Sequence, residues 1–184
     1  MSIEQVLEIE KDFYWDDHFS NCFPSSARSF ALKAHGGQMY GKDKPYVYHL
    51  DRVAEVLIEF GFSDLEYLCA AYLHDVVEDT EVPIDEIYRI FGATVGRLVE
   101  AVTEPKGLNR KARHAASHPK IKATPGATIL KLADRIANIR ESIKDSSSLM
   151  GMYRREYKDF REHLLDEKDQ WTTQMWACLD GLMG

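Results

Sequence analysis

The stretch DLEYLCAAYLHDVVEDT, residues 64–80, combines a helical pattern of apolar residues with a group of ionisable side chains. Its apolar residues share one side of a helix with the period of 3.6, at positions 65, 68, 69, 72, 73 and 76. Four ionisable side chains follow near its end: His74, Asp75, Glu78 and Asp79. The alanines and valines beside them make the helix apolar nearly all round, which is typical of a buried helix. Because isolated charges are costly to bury, these side chains indicate a functional site.

The helical period extends through most of the remaining sequence. Between glycine and proline signals, it predicts helices over 24–35, 49–60, 65–76, 84–91, 94–102 and 128–143, with further helical material over 149–182. Ser63 to Glu66 have the pattern of a capping box, which marks the start of a helix. We find no strand pattern, internal repeat or dividing linker. The sequence therefore predicts an all-α fold in a single domain over residues 1–184.

Composition limits the classes of partner. The 184 residues carry a net charge of −7, whereas a general nucleic-acid binder needs a basic surface. No apolar run approaches the ~20 residues of a membrane span, and no signal-peptide pattern opens the chain. The three cysteines, Cys22, Cys69 and Cys178, are widely spaced and odd in number, which favours a reduced protein. We expect a cytoplasmic protein that binds neither nucleic acid nor membrane.

Residues 103–127 interrupt the helical pattern with three prolines and little periodicity, and this predicts a long loop. The segment has one acidic residue, Glu104, against six basic residues: Lys106, Arg110, Lys111, Arg113, Lys120 and Lys122. One interpretation is a solvated surface loop. The other is a cationic flap over an anionic, phosphorylated ligand, in which Lys106 and Arg110 contact the substrate.

Two further segments carry candidate metal ligands. His49 begins a helix, and Asp134 lies in the core-like helix ILKLADRIANIR. A single histidine at a helix start is more often a cap or a core residue. A single aspartate is more often half of a salt bridge, here with Lys131 or Arg135. Taken together, two imidazoles and two carboxylates from three helices suit a divalent ion such as Mn, Fe, Co or Zn: His49, His74, Asp75 and Asp134.

Four segments in this order resemble the HD superfamily of metal-dependent phosphohydrolases, whose signature is H…HD…D. They are AHGGQMYGKDKPYVYHL (34–50), AAYLHDVVEDT (70–80), FGATVGRLVEAVT (91–103) and ILKLADRIANIR (129–140). The motif-bearing core spans 27–143. The pair HD is unspecific, but HDVVEDT together with KLADRxxN resembles the hydrolase domain of RelA/SpoT-type enzymes and their small stand-alone relatives. Those enzymes remove the 3′-pyrophosphate of (p)ppGpp.

The resemblance implies an HD-domain helical fold and assigns roles to individual residues. It implies a single Mn²⁺ bound by His49, His74, Asp75 and Asp134, a catalytic acidic pair, Glu78 and Asp79, and a ligand contact from Asn138. The chemistry agrees, because a divalent ion lowers the pKa of bound water and supplies hydroxide near neutral pH. Glu78, on the same predicted helical face as His74, could orient that water or accept its proton.

The chain departs from the family pattern shortly after Gln38. The alarmone hydrolases usually have an Arg-Lys pair there that packs against the guanine base, whereas this chain has Tyr40 and Gly41 with Lys42 nearby. We expect Tyr40 and Lys42 to contact the substrate. An aromatic ring stacks on any base and discriminates poorly. The expected substrate is therefore a purine nucleotide with a 3′-phosphate or 3′-pyrophosphate, recognised with a weaker preference for guanine.

Three alternatives stay open at the level of sequence. The chain could be an HD phosphohydrolase for another nucleotide: an adenine alarmone, a 3′-phosphorylated dinucleotide or a 5′-nucleotide. It could be a di-iron HD-fold oxygenase, which needs extra histidines close to the first site, or a non-catalytic nucleotide-binding regulator. Of the remaining histidines, we interpret His35 as structural and His114 and His118 as loop residues. The sequence does not indicate the oligomeric state.

Overall fold

The computed structural model describes residues 23–184, and this part of the chain is mainly helical. Its helices are α1 Pro24–His35, α2 Val47–Glu59, α3 Leu65–Leu73, α4 Val76–Asp79, α5 Ile84–Val102, α6 Arg110–Ala123, α7 Ala127–Lys144, α8 Leu149–Leu164 and α9 Thr173–Met183. A short antiparallel hairpin, β1 Met39–Tyr40 and β2 Lys44–Pro45, precedes α2. The all-α prediction is confirmed, but the expectation of no strand is wrong at this hairpin, whose two-residue strands are too short to show alternation.

Helix α3 lies at the centre of the fold and packs against α1, α2, α5 and α7. Every residue from Leu68 to Leu73 has no exposed surface, so this part of the helix is buried on all sides as its sequence predicts, whereas Leu65 in its first turn is exposed. The predicted capping box is wrong. The structure has Asp64, not Ser63, as the N-cap residue, and the Asp64 side chain makes no capping hydrogen bond. The start of α3 is therefore one residue later than the Ser-x-x-Glu spacing requires.

The helical run 65–76 is divided at His74 and Asp75. Helix α3 ends at Leu73, and the single turn α4 begins at Val76. Both intervening residues keep right-handed backbone angles, and the Asp79 amide donates to the Asp75 carbonyl oxygen at 2.8 Å. The polar side chains thus lie at a break in the buried helix and not along a continuous face.

Helix α5 is interrupted at Gly92, as the predicted pieces 84–91 and 94–102 imply. Gly92 has φ 84° and ψ 172°, which are not helical angles. Only glycine adopts this conformation without strain, because it has no Cβ. The sequence therefore determines the position of the kink.

The predicted loop over 103–127 is wrong, because α6 occupies most of it. The Asn109 side chain caps this helix by accepting a hydrogen bond from the Ala112 amide at 3.0 Å, and Pro119 lies within it. The buried face of α6 has helical spacing but is largely polar: His114, Ser117, His118 and Ile121. A search for apolar periodicity misses such a face.

The C-terminal helical material predicted over 149–182 is confirmed as two helices, α8 and α9. Helix α8 packs against α6 and α7 through Tyr153, Phe160 and Leu164, and α9 packs against α7. Within residues 23–184, none of the helices has both the length and the apolarity needed to span a membrane. Cys69 and Cys178 form no disulfide with each other, and Cys22 lies outside the described residues. The single-domain prediction over 1–184 stays a prediction.

Candidate active site

The four predicted metal ligands lie close together where α2, the α3–α4 break and α7 meet. The His49 Nε2 atom lies 3.6 Å from Asp75 Oδ2 and 3.4 Å from Asp134 Oδ1. The His74 Nε2 atom lies 3.1 Å from Asp75 Oδ2 and 3.8 Å from Asp134 Oδ1. Two imidazole nitrogens therefore face the same two carboxylates. His49, His74 and Asp134 each place one ligand atom within 4.8 Å of the other two, and the Asp75 carboxylate lies beside both imidazoles.

The environment of His74 favours a metal ligand. Its Nδ1 atom donates to the Ala71 carbonyl oxygen at 2.8 Å, so that Nε2 carries the lone pair whenever the ring is neutral. The Nε2 atom is buried, and neither the Asp75 carboxylate at 3.1 Å nor the Asp134 carboxylate at 3.8 Å makes a well-aligned hydrogen bond to it. Metal-binding histidines typically donate their other ring N–H to a carbonyl in this way. The donor set thus fits a divalent ion.

The four side chains are strongly coupled by charge. Burial lowers the pKa of His74, but Asp75 and Asp134 outweigh it and raise that pKa well above its usual value. Burial raises the pKa of Asp75 and of Asp134, yet nearby cationic groups hold both well below their usual range. Asp134 pairs with Lys131 at 3.3 Å, one of the two partners expected from the sequence. A divalent ion would neutralise the two carboxylates directly.

Glu78 lines the same cavity as His49, Asp75 and Asp134. The cavity is polar, with a volume of about 200 Å³. Glu78 Oε2 accepts a hydrogen bond from the Glu104 amide at 3.1 Å. Burial raises the pKa of Glu78, the Glu104 amide lowers it in part, and repulsion from Asp75 raises it again, so that the net shift is upward. A carboxylate in this setting is suited to proton transfer.

Asp79 differs from its neighbour Glu78. It is exposed and lies outside the lining of the cavity. Its Oδ2 atom is 2.9 Å from the Tyr46 hydroxyl, whose oxygen is 2.7 Å from Asp75 Oδ2. Tyr46 therefore lies between Asp79 and the metal-ligand candidate Asp75, and its single hydroxyl proton can be donated to only one of the two acids at a time.

Tyr46 is a site residue that sequence reasoning missed. It lines the cavity three residues before His49, and its ring stacks on His35 with centroids 4.3 Å apart. The spacing to His49 is the signal that could have found it, because such residues are neighbours at a helix start. His35 is buried and hydrogen-bonded to Gln38 at 2.9 Å, in agreement with a structural role.

Tyr40 and Asn138 are joined to the metal-ligand candidates. The Tyr40 hydroxyl donates to Asn138 Oδ1 at 2.9 Å, and its ring stacks on His49 with centroids 4.8 Å apart and planes 10° apart. The Asn138 side-chain amide in turn donates to the Asp134 carboxylate. One face of the Tyr40 ring is therefore covered by His49, and a base would have to use the other face.

The structure brings some of the predicted cations to the cavity and leaves others outside. Arg110 lines the cavity and donates to Glu156 through Nε at 2.7 Å and Nη2 at 3.1 Å. Lys42 and Lys106 are exposed and do not line it, and the Lys106 ammonium donates to the Thr80 carbonyl oxygen at 3.2 Å. Three cations that sequence reasoning did not assign to the substrate also line the cavity: Arg113, Lys131 and Arg135.

The assignment of His114 and His118 to a loop is wrong. Both lie on the buried face of α6, where their rings stack with centroids 5.2 Å apart. Burial lowers the pKa of each to about 4, so that both are neutral at physiological pH. His114 lines the cavity, with its Nε2 atom 3.6 Å from a carboxylate oxygen of Glu104. The wall of the cavity formed by α6 is therefore a packed helix and not a flexible flap.

Comparisons with known proteins agree on one family. A family model described as HD domain matches residues 27–159. The human guanosine-3′,5′-bis(diphosphate) 3′-pyrophosphohydrolase MESH1 is 37% identical over 162 residues, covering 84% of this chain and 83% of the human protein. The guanosine-3′,5′-bis(diphosphate) 3′-pyrophosphohydrolase of Aquifex aeolicus is 40% identical over 118 residues, covering 62% of this chain and 17% of that protein. A solved structure described as a metazoan ortholog of SpoT that hydrolyzes ppGpp matches with a TM-score of 0.73 and 26% identity, covering 92% of this chain and 96% of the other.

Proposed function

The chain belongs to the HD domain family, and from this premise we propose that it is a metal-dependent 3′-pyrophosphohydrolase of (p)ppGpp-type nucleotides. The resemblance to RelA/SpoT-type hydrolases and their stand-alone relatives is confirmed by the matches to both kinds of protein. The observation that carries the proposal is the convergence of two imidazoles and two carboxylates in a cavity lined by cations. A proposed location in the cytoplasm rests on the cysteine pattern alone.

The proposed ligands of the metal are His49, His74, Asp75 and Asp134, and the proposed ion is Mn²⁺. Carboxylate oxygens suit Mn²⁺, and imidazole nitrogens complete a mixed set. When bound, the ion supplies a water of lowered pKa. The Ala71 carbonyl supports this assignment, because it fixes the His74 tautomer with the lone pair on Nε2.

Glu78 is the proposed proton acceptor. Its carboxylate lines the cavity beside Asp75 and is held by the Glu104 amide. Its raised pKa brings it closer to the range in which a carboxylate exchanges protons effectively. We assign to Glu78 the proton released by the attacking water.

Asp79 is proposed to act through Tyr46. Its carboxylate and that of Asp75 both lie within hydrogen-bond distance of the Tyr46 hydroxyl. Because the hydroxyl has one proton, Asp79 would compete with Asp75 for it and so would set the orientation of Tyr46. Asp79 is therefore a positioning residue in this proposal, although the sequence resemblance pairs it with Glu78.

The cations of the cavity are proposed to bind the pyrophosphate. Four line the cavity: Arg110, Arg113, Lys131 and Arg135. Fixed cations stabilise negative charge that develops on phosphoryl oxygens during hydrolysis. Lys42 and Lys106 lie outside the cavity and would contact the parts of the nucleotide that extend beyond it, namely the 5′-phosphates or the base.

The base is proposed to contact the free face of Tyr40, with Asn138 nearby. Stacking contributes about 1–3 kcal/mol per base and does not read a hydrogen-bond pattern. Selectivity for guanine needs polar groups that adenine would leave unpaired. We therefore propose a purine 3′-pyrophosphate substrate with a relaxed preference for guanine.

The test is a substrate panel with Mn²⁺, analysed by chromatography of the nucleotide products. The panel contains ppGpp, pppGpp, ppApp, a 3′-phosphorylated dinucleotide and nucleoside 5′-triphosphates. We expect release of pyrophosphate from ppGpp and ppApp. Exclusive cleavage of ppGpp would refute the relaxed preference, and cleavage of 5′-triphosphates alone would refute the 3′-specificity. Tight binding of ppGpp without turnover under metal-replete conditions would instead indicate a nucleotide-binding regulator.

A further inference from the structure

A second group of potential metal ligands lies apart from the cavity. It consists of His118 on α6 and of Asp159 and His163 on α8. Each side chain offers one ligand atom, and these atoms all lie within 4.8 Å of one another. None of the three lines the cavity of the candidate active site.

His118 is a buried polar side chain without a polar partner. Its exposed fraction is 2%, and among the described residues neither of its ring nitrogens has a hydrogen-bond partner. Packing accounts for the position of the ring, which meets Phe160 edge-on at 5.9 Å. It does not account for the nitrogens, because phenylalanine would pack similarly without burying two unsatisfied polar atoms. Buried polar atoms usually have a partner, so two open nitrogens on one ring, next to two further potential ligands, fit a bound ion.

The two ligand candidates on α8 approach His118 from the solvent side. Asp159 and His163 are four residues apart, so they share one face of the helix. The His163 Nδ1 atom donates to the Asp159 carbonyl oxygen at 2.8 Å, which leaves the lone pair on Nε2. Both side chains are more than half exposed, so an ion can reach them directly from water.

We propose that His118, Asp159 and His163 bind a second divalent transition-metal ion, of the class of Zn²⁺. Two imidazole nitrogens and one carboxylate oxygen form a set that Zn²⁺ accepts, with water in the fourth position. The ion would join α6 to α8 on the outside of the fold. Inside, the same two helices are joined by the ion pair of Arg110 with Glu156.

This site is connected to the cavity through one further side chain. The His118 ring stacks on His114, and His114 lines the cavity. An ion bound by His118 would therefore hold α6, which forms one wall of the candidate active site, against α8. The proposal does not depend on the identity of the substrate, since it concerns residues that lie outside the cavity.

The test is the number of Zn²⁺ ions bound per chain. The full chain is equilibrated by dialysis against micromolar Zn²⁺, and the bound metal is measured by elemental analysis. We expect two ions per chain in the wild type and one in His163→Ala and in Asp159→Asn. The matched control is Glu162→Gln, an exposed acid of the same helix that pairs with Lys158 and belongs to neither group. It should retain two ions.

A second readout follows thermal unfolding with and without Zn²⁺. Because the ion links two helices, Zn²⁺ should raise the unfolding temperature of the wild type and of Glu162→Gln by more than that of His163→Ala. Equal metal content and equal shifts in all four proteins would overturn the proposal. Loss of one ion from His163→Ala would support the second metal site even if the protein hydrolysed no nucleotide. The metal-site proposal and the proposed hydrolase function can therefore fail separately.

Discussion

The clearest test of the proposed chemistry compares Glu78→Gln with Asp79→Asn. The two acids are adjacent in the sequence, but Glu78 lines the cavity, whereas Asp79 is exposed and its carboxylate contacts Tyr46 and Gln38. In Glu78→Gln, the new side-chain amide has the size of the carboxylate and can still accept from the Glu104 amide, but it cannot take up a proton. Structure and metal binding should therefore survive the substitution.

The expected loss in Glu78→Gln is that of a general base. Such groups contribute about 10²–10⁴-fold to turnover, which corresponds to about 3–5 kcal/mol in the activation barrier. Asp79→Asn weakens one hydrogen bond to Tyr46, worth about 0.5–1.5 kcal/mol, so its turnover should fall about tenfold or less.

The assay measures turnover of the best substrate of the panel at saturating Mn²⁺, together with the metal content of each variant. Turnover of Glu78→Gln close to that of the wild type would refute its role as base. Loss of bound metal in that variant would show that Glu78 acts as a ligand instead. Equally large losses of turnover in Glu78→Gln and Asp79→Asn would refute the assignment of Glu78 as the base and of Asp79 as a positioning residue.

Three further results are expected. Mn²⁺ at about 100 times its Kd should raise the free energy of unfolding by about 2.7 kcal/mol in the wild type and by much less in His74→Ala, as measured by urea denaturation. The affinity for Mn²⁺ should rise with pH through the neutral range, because binding displaces protons from imidazoles whose pKa is raised; calorimetry in two buffers would detect the released protons. Gly92→Ala should destabilise the fold by about 1–3 kcal/mol, since φ 84° with ψ 172° is a conformation that alanine avoids. Gly181→Ala, in an exposed part of a helix, should stabilise it by up to about 1 kcal/mol.

Sequence periodicity predicted those helices whose buried faces are apolar. Helix α3 is buried on every side from Leu68 to Leu73, and these residues show the apolar pattern clearly. Helix α6 was missed because its buried face includes His114, Ser117 and His118, which a count of apolar residues treats as solvent-exposed. The sequence also gives no sign of the helix break at His74 and Asp75. Both residues keep right-handed backbone angles, so the break needs no glycine or proline that would mark it.

The candidate ligands could be identified from their motifs, but their surroundings could not. Tyr46 is adjacent to Asp75 and Asp79 only in the folded chain, through contacts 29 and 33 residues apart in sequence. The same holds for Glu104, whose amide holds Glu78. The basic segment 103–127 predicted cations near the site, yet which of them line it depends on how α6 packs. Tertiary contacts of this kind leave no local signal.

The presence of Tyr40, where the related hydrolases usually have a cationic residue, affects the proposed metal ligands as well as the contact with the base. Its ring stacks on His49, and its hydroxyl holds Asn138, whose amide donates to the Asp134 carboxylate. A single side chain therefore contacts one proposed metal ligand directly and a second through one intermediate. A cation at this position would lack the flat aromatic face against His49 and would add positive charge beside the proposed metal. Tyr40, which is proposed to stack on the base, therefore also contacts the proposed metal ligands. We expect a substitution of Tyr40 to change base preference and metal affinity together.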